Sequence, residues 1–245
     1  MRLLRFYFPA TLSDGEHYTL PDKVFRHAVK VLRLTENDEF TLFNGDGKEY
    51  RSRLIRIDKK SAQVEILSSE QLSRESQLKI HLIQGVSKGE RMDFVLQKAT
   101  ELGVSSIHPV FTERTNVAIP QVRIEKKLEH WRGVVTSACE QCGRNTIPEI
   151  FPPDSIIPVL KQFSEEVTSK VVLSPSATSG LLMQPKQQSG LIVLIGAEGG
   201  LSPAELRQAV ELGFAEVSLG PRILRTETAA LAFLAIAQGM WGDLT

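Results

Sequence analysis

The sequence predicts an α/β protein with a largely parallel sheet, preceded by a small β-rich domain. The run Leu191 to Ile195 is unbroken in apolar residues, too short for a helix and right for a strand buried on both faces. From residue 78 onward, strand-like and helix-like segments alternate, the order expected of a parallel sheet. Between residues 5 and 67, short strands and turns surround one helical stretch, which suggests a small barrel.

Arg5-Phe6-Tyr7-Phe8-Pro9 is the expected first strand. Residues 22–33 put Val24, Phe25, Ala28, Val31 and Leu32 on one helical face. Phe40 to Phe43, the turn Asn44-Gly45-Asp46-Gly47 and Glu49 to Ile57 read as strand, turn, strand, and Ala62 to Leu67 as a further strand. Arg51, Arg53 and Arg56 are expected to be solvated surface rather than a binding patch. Ser68 to Gln77 is polar and aperiodic and reads as a linker, dividing a domain at 1–72 from a second at 73–245.

In the second domain Leu78 to Gln84 is a strand, and Ser87 with Glu90 predicts a capping box opening a helix with Met92, Val95, Leu96, Ala99 and Leu102 on its apolar face. A strand at Ile107 to Phe111 follows. A long helix from about Arg123 then carries Ile124, Leu128, Trp131, Val135, Ala138 and Cys142 inward. After a strand at Val171 to Leu173 and the apolar run comes Gly196-Ala197-Glu198-Gly199-Gly200. Ser202-Pro203-Ala204-Glu205 is a helix start, with Ser as N-cap, Pro at the first helical position and Glu reaching back. Val217 to Leu219 is a short strand running into Gly220-Pro221-Arg222-Ile223-Leu224-Arg225, and an alanine-rich helix begins at Thr226.

The 245 residues are 42% hydrophobic and 24% charged, ordinary for a globular protein, with no stretch approaching a membrane span and no signal-like N-terminus, so a cytoplasmic protein is expected. The formal net charge is zero, but residues 73–148 hold 11 Lys/Arg against 8 Asp/Glu while residues 149–245 hold 6 against 10. That asymmetry weakly permits a polyanion on one surface. Cys139 and Cys142 form the only C-x-x-C pair, with no second pair to complete a zinc site. Their place at the end of a helix disfavours thiolates, so a structural role is expected and no metal.

Two strand ends, each followed by a glycine-bearing loop and a helix N-terminus, make a ligand site. The loop at 196–200 does not supply G-x-G-x-x-G, and Glu198 would repel a pyrophosphate; a P-loop motif is absent. A cationic ligand such as S-adenosylmethionine suits Glu198 better, with a carboxylate capping the Ser202 helix as the alternative.

The two loops, Gly196-Ala197-Glu198-Gly199-Gly200 and Leu219-Gly220-Pro221-Arg222-Ile223-Leu224-Arg225-Thr226-Glu227-Thr228-Ala229, resemble the paired signature of the RsmE-type 16S ribosomal RNA uridine-N3 methyltransferases, members of the SPOUT superfamily. The resemblance extends along nearly the whole chain through Arg5-Phe6-Tyr7, Val31-Leu32-Arg33, Phe43-Asn44-Gly45, Ser87-Lys88-Gly89-Glu90, Glu101-Leu102-Gly103-Val104, Glu113-Arg114 and Ala138-Cys139-Glu140-Gln141-Cys142-Gly143-Arg144. The family usually has G-P-E-G-G where this chain has Ala197.

The resemblance implies a PUA-like β-barrel for RNA binding at 1–72. It also implies a SPOUT domain at 73–245 with a deep trefoil knot at roughly 170–240, and a homodimer. It implies methylation at N3 of uridine 1498 in 16S ribosomal RNA of the small subunit. S-adenosylmethionine is then expected against Leu173 and Ser174, against Ile195, Gly196, Glu198, Gly199 and Gly200, and against Leu219, Gly220, Ile223, Leu224, Thr226 and Thr228. Arg225 and Glu227 are the catalytic candidates, the alternative being that Glu227 is a first-turn carboxylate answering the helix dipole with Arg225 as its partner. Arg5, His27, Arg33, Lys88, Arg91, Arg114, Gln141 and Arg144 are candidates to hold RNA, with surface or interface salt-bridging the alternative for Arg114, Gln141 and Arg144 and packing within a helix the alternative for His27. A different RNA methylation (ribose 2′-hydroxyl or transfer RNA), or a non-catalytic ribosome-assembly factor, are the rival functions.

Overall fold

A computed structural model describes residues 4–116, 119–166, 168–181 and 190–244. The chain divides into two compact units, 1–75 with 139–147, and 76–138 with 148–245. Among the described residues no helix is long and apolar enough to cross a membrane.

The first unit contains β1 (Arg5–Tyr7), β2 (His17–Thr19), α1 (Asp22–Phe25), β3 (Glu39–Phe43), β4 (Lys48–Ile57) and β5 (Ala62–Gln71). They form a five-stranded sheet in the order β1-β3-β4-β5-β2, antiparallel except where β1 pairs with β3. Alternation along the strands sends Phe6, Phe40, Leu42, Leu54, Val64 and Ile66 into one core. The β3–β4 turn depends on Gly45 and Gly47, both at positive φ, and on Asp46, which accepts from the Lys48 amide and the Tyr50 hydroxyl.

Two expectations change here and one holds. The helix at 22–33 is α-helical only to Phe25; Arg26–Val31 is a π-helical stretch, with the Leu32 amide donating to His27 O. The wider turn rotates the register, so Val24, Phe25 and Ala28 stay buried while Val31 (67% exposed) and Leu32 face solvent. Ser68 to Gln71, expected in the linker, continue β5 and pair with Lys48–Arg51; their polarity reflects a solvated sheet margin. Arg51, Arg53 and Arg56 do lie at the surface, in ion pairs with Glu39, Glu65 and Asp58.

The segment 139–147 joins this unit through polar contacts. Arg5 pairs with Glu49 and donates to the Asn145 side chain and to Arg144 O; Arg144 pairs with Glu75; Glu140 accepts from the Tyr7 amide. Cys139, the buried cysteine, has its thiol pushed up to about 12 by burial, and Cys142 is half-buried rather than on the apolar stripe. A protonated, buried Cys139 is inert, as a structural role requires.

The second unit contains β6 (Lys79–Gly85), α2 (Glu90–Glu101), β7 (Ser106–Phe111), α3 (Gln121–Cys142, its last turn counted with the first unit), β8 (Glu149–Ile150), β9 (Asp154–Ser155), α4 (Ile156–Gln162), β10 (Ser169–Leu173), β11 (Gly190–Ile195), α5 (Pro203–Glu211), β12 (Ala215–Val217) and α6 (Thr226–Trp241). The sheet is parallel throughout, in the order β12-β10-β11-β6-β7-β8, with β9 also on β7. Every residue of β11 is buried, as its composition demands. The chain leaves β12 at the sheet edge and returns through α6 to pack on α2 and β11, an arrangement consistent with a C-terminal trefoil knot. β12 starts two residues earlier than expected, because Ala215–Val217 are the residues that find partners on β10. Nor does Ser87 cap α2: Gly89, at φ 63, is the N-cap, and the Ser87 hydroxyl turns back to Gly85 O.

At the N-terminal ends of β6 and β7, Ser106 Oγ sits 2.7 Å from His81 Nδ1 and 2.9 Å from His108 Nε2, with His108 stacked on Phe151. Burial, together with the nearby His81, pushes His108 down to about 4. Because the unfolded chain binds this proton near 6.5 and the folded chain does not, His108 lowers stability as pH falls from 6.5, by up to about 3 kcal/mol near pH 4. Urea unfolding at pH 7 and pH 4.5 checks this: His108→Gln is expected to lose less stability over that interval than the parent.

Candidate functional site

The C-terminal ends of β10, β11 and β12 surround a cavity of about 670 Å³ within the second unit. Leu173 and Ser174 close one side, Ile195 to Gly200 a second, and the stretch from Leu219 to Glu227 a third. Leu173, Ile195, Leu201, Leu206, Val217 and Leu219 give it an apolar floor, while Arg91, Arg114, Glu198, Arg222, Arg225 and Glu227 ring it with charge. Apolar walls with few polar groups, in the size range of small-molecule pockets, suit a nucleoside-sized ligand.

Glycines let three backbone segments cross at the cavity wall. A Cβ on Gly85 would lie 2.2 Å from the Ala197 amide nitrogen, one on Gly196 2.8 Å from Gly200 C, and one on Gly199 2.8 Å from Arg114 Cβ. The 196–200 loop closes on itself through Gly200 N–H to Ala197 O at 2.9 Å, with Gly200 at φ 71. The expected capping box then starts α5: Ser202 Oγ accepts from the Glu205 amide, and Glu205 accepts from the Ser202 amide. Glu205 also accepts from the Glu113 amide at 2.7 Å, and Arg114 Nη1 donates to Gly199 O, which binds the β7 loop to the cavity wall.

The two glycine loops are joined by one side chain. Thr226 Oγ1 donates to Gly196 O at 2.6 Å and accepts from Gln84 Nε2 at 3.0 Å.

Glu198 departs from expectation. It caps neither α5 nor an open cationic site: its Oε1 accepts from the Lys88 amide at 3.1 Å and pairs with Arg91 at 3.2 Å. Burial raises its carboxyl, but the Lys88 and Glu198 amides and Arg91 outweigh this and hold it below the ordinary glutamate value. The ionised side chain thus ties the 196–200 loop to the start of α2.

Of the expected ligand residues, Leu173, Ser174, Ile195, Gly196, Glu198, Gly199, Gly200, Leu219, Gly220, Ile223, Leu224 and Thr226 line the cavity. Thr228 does not; two residues on from Thr226, it lies on the exposed side of α6. Arg225, exposed and at the N-cap of α6, and Glu227, in its first turn, also line it. Among the described residues neither has an ion pair, and Glu227 Oε2 is buried without a hydrogen-bond partner.

The RNA candidates separate into groups. Arg91 and Arg114 stand at the cavity, and Lys88 is exposed at the turn beside Glu198. His27, Arg33 and Gln141 are exposed in the first unit, His27 with its ring edge-on to Phe6. Arg5 and Arg144 are revised: both guanidinium groups are enclosed in the ion pairs described above, with side chains 10% and 5% exposed, and they hold the first unit together instead of facing outward. Gln84, Gly85 and Arg222 were not among the expected site residues. The one signal for Gln84 was a polar residue following the apolar pair Leu82-Ile83 in a strand. No cluster of three metal-ligating side chains occurs among the described residues.

Comparison with known proteins agrees with this geometry. Residues 74–238 match the family model of an RNA methyltransferase domain, and residues 20–67 that of an RNA methyltransferase PUA domain. The chain is 39% identical over 244 residues to ribosomal RNA small subunit methyltransferase E of Buchnera aphidicola subsp. Schizaphis graminum, covering 100% of this chain and 99% of that one. It is 28% identical to the protein of the same name from Bacillus subtilis, covering 90% and 89%. Among solved structures, ribosomal RNA small subunit methyltransferase E of Neisseria gonorrhoeae bound to S-adenosyl methionine superposes over the full length of both chains, with a TM-score of 0.91 and 42% identity. A methyltransferase from Legionella pneumophila in complex with bound SAM does so with a TM-score of 0.94, also at 42% identity. With matching domains in the same order and full-length relatives on both counts, the chain belongs to the ribosomal RNA small subunit methyltransferase E family.

Proposed function

We propose that the protein transfers a methyl group from S-adenosylmethionine to N3 of uridine 1498 in 16S ribosomal RNA, acting as a homodimer in the cytoplasm on the small ribosomal subunit. The observation that carries this reading is the cavity itself: two glycine loops bring backbone and apolar side chains around a nucleoside-sized space, with Arg225 and Glu227 at its wall. The residues fit the cofactor. Its adenosine suits the apolar floor and the backbone groups of 196–200 and 219–224, and the buried, unpartnered Glu227 Oε2 is an acceptor left for a ligand or substrate.

When bound, S-adenosylmethionine supplies an electrophilic methyl on a sulfonium sulfur. Neutral uracil N3 carries a proton and offers no free lone pair, so the protein must accept that proton or stabilise the anion its loss creates. Glu227 is the proton acceptor in this reading, and Arg225 the cation beside the developing uracil charge. The base must leave its stack to reach them. Arg91 and Arg114 at the cavity edge, with Lys88 nearby, are suited to the RNA backbone.

Nucleoside mass spectrometry of ribosomal RNA from cells with and without the protein tests the reading. N3-methyluridine in small-subunit RNA is expected to disappear with the protein. A lost ribose methylation or a transfer-RNA change instead would establish one of the rival activities.

A further inference from the structure

The side-chain amide of Gln84 sits where three segments of the second unit meet. It is the penultimate residue of β6, is fully buried, and donates through Nε2 both to Gly85 O at 3.1 Å and to Thr226 Oγ1 at 3.0 Å. Thr226 in turn gives its single hydroxyl proton to Gly196 O at 2.6 Å. A threonine hydroxyl can point its proton at only one acceptor. Receiving a hydrogen bond from Gln84 therefore commits that proton to the 196–200 loop. Turning the amide over would set two oxygens, Gln84 Oε1 and Gly85 O, against each other, so its orientation is determined. Three chain segments that the fold brings to one point are thereby locked: the end of β6, the cavity loop after β11, and the first turn of α6. That turn carries Arg225 and Glu227.

The cost of the arrangement is visible. Gln84 Oε1 is buried with no hydrogen-bond partner, a penalty that an apolar residue of similar volume would avoid. For stability alone, methionine or leucine would serve at this fully buried position. We propose that Gln84 is a positioning residue for methyl transfer: acting through the Thr226 hydroxyl, it holds the first turn of α6, and with it Glu227 and Arg225, in register with the cofactor loop. This rests on the methyl-transfer reading given above.

The test is single-turnover methyl transfer to isolated small ribosomal subunits at saturating S-adenosylmethionine, with rates counted per cofactor-binding site so that unfolded protein does not contribute. Gln84→Met is expected to lower the rate by about tenfold while the cofactor Kd stays within about threefold. Thr226→Val should fall similarly, and Thr226→Ser, which keeps the hydroxyl, should restore most of the rate. Because the two residues act in series, Gln84→Met combined with Thr226→Val should be no slower than Thr226→Val alone. Gln84→Leu serves if the methionine variant does not fold. A rate within twofold of the parent, effects that multiply, or a Kd that weakens in step with the rate would each overturn the proposal.

Hydrogen exchange gives a second readout that does not depend on turnover. Gln84→Met is expected to speed exchange in 196–200 and 225–230 and leave β6, β10 and β11 unchanged; uniform or absent change overturns the proposal. If the parent protein moves no methyl to small-subunit RNA, the methyl-transfer reading fails, and the exchange pattern still decides whether Gln84 holds the α6 turn.

Discussion

Glu227→Gln is expected to slow methyl transfer by about 10²- to 10⁴-fold, the range for removing a positioned general base. The substitution keeps the size of the side chain and removes only its capacity to take a proton. Glu227 lines the cavity in the first turn of α6, with one carboxylate oxygen buried and unpartnered, so it holds no ion pair whose loss would disturb the fold. Cofactor affinity should therefore be nearly unchanged by calorimetry. Arg225→Ala tests the companion role: the exposed guanidinium makes no ion pair among the described residues, so its removal should cost rate and not folding. Near-normal transfer in both variants, with cofactor still bound, would remove Arg225 and Glu227 from the chemistry.

Gly85→Ala is expected to weaken S-adenosylmethionine binding and transfer by about 10²-fold, the scale of an ångström-sized misplacement at a site. The new methyl would lie 2.2 Å from the Ala197 amide nitrogen and 2.6 Å from Gly196 C. Both are backbone atoms of the cavity loop and cannot rotate away as a side-chain tip would. The loop must shift by more than an ångström, and it is pinned at Gly196 O by Thr226 and at Glu198 by Lys88 and Arg91. Overpacking of this kind also destabilises, by about 1–3 kcal/mol. Gly133→Ala is the matched control: that glycine has open space around it inside α3, and alanine there should be neutral or stabilising by up to about 1 kcal/mol. Calorimetric titration and thermal unfolding of the two variants separate loop displacement from a general effect of adding a methyl group.

Local signals carried some elements further than others. The Ser202 to Glu205 helix start was legible because a capping box is closed within four residues. The strand at Leu191 to Ile195 was legible because only a doubly covered strand tolerates that composition. Ser87 and Glu90 have the same spacing as the true capping box and form none, since Gly89 at positive φ turns the chain before the helix begins. The π-helical stretch at 26–31 was hidden for a related reason: apolar spacing at 3.6 residues fits either helix until tertiary packing selects which residues go inward.

Charged residues were the least legible. Arg5, Arg144 and Glu198 each looked ready to meet a ligand, because a sequence shows a charge but not its counter-charge. Their partners, Glu49, Glu75 and Arg91, lie 44, 69 and 107 residues away along the chain. Arg225 and Glu227 stand at the opposite extreme, lining the cavity without an ion pair among the described residues.

By itself the sequence determined the parallel α/β plan, the β-rich first unit, the two glycine loops and the helix that starts at Thr226, because periodicity, capping and turn chemistry act over a few residues. Only the tertiary structure decided that 139–147 packs with the first unit, that Glu198 is neutralised within the protein, and that Gln84 meets Thr226 across 142 residues of sequence. Such contacts depend on which strand ends the sheet order brings together, and that order follows from the packing of the whole chain.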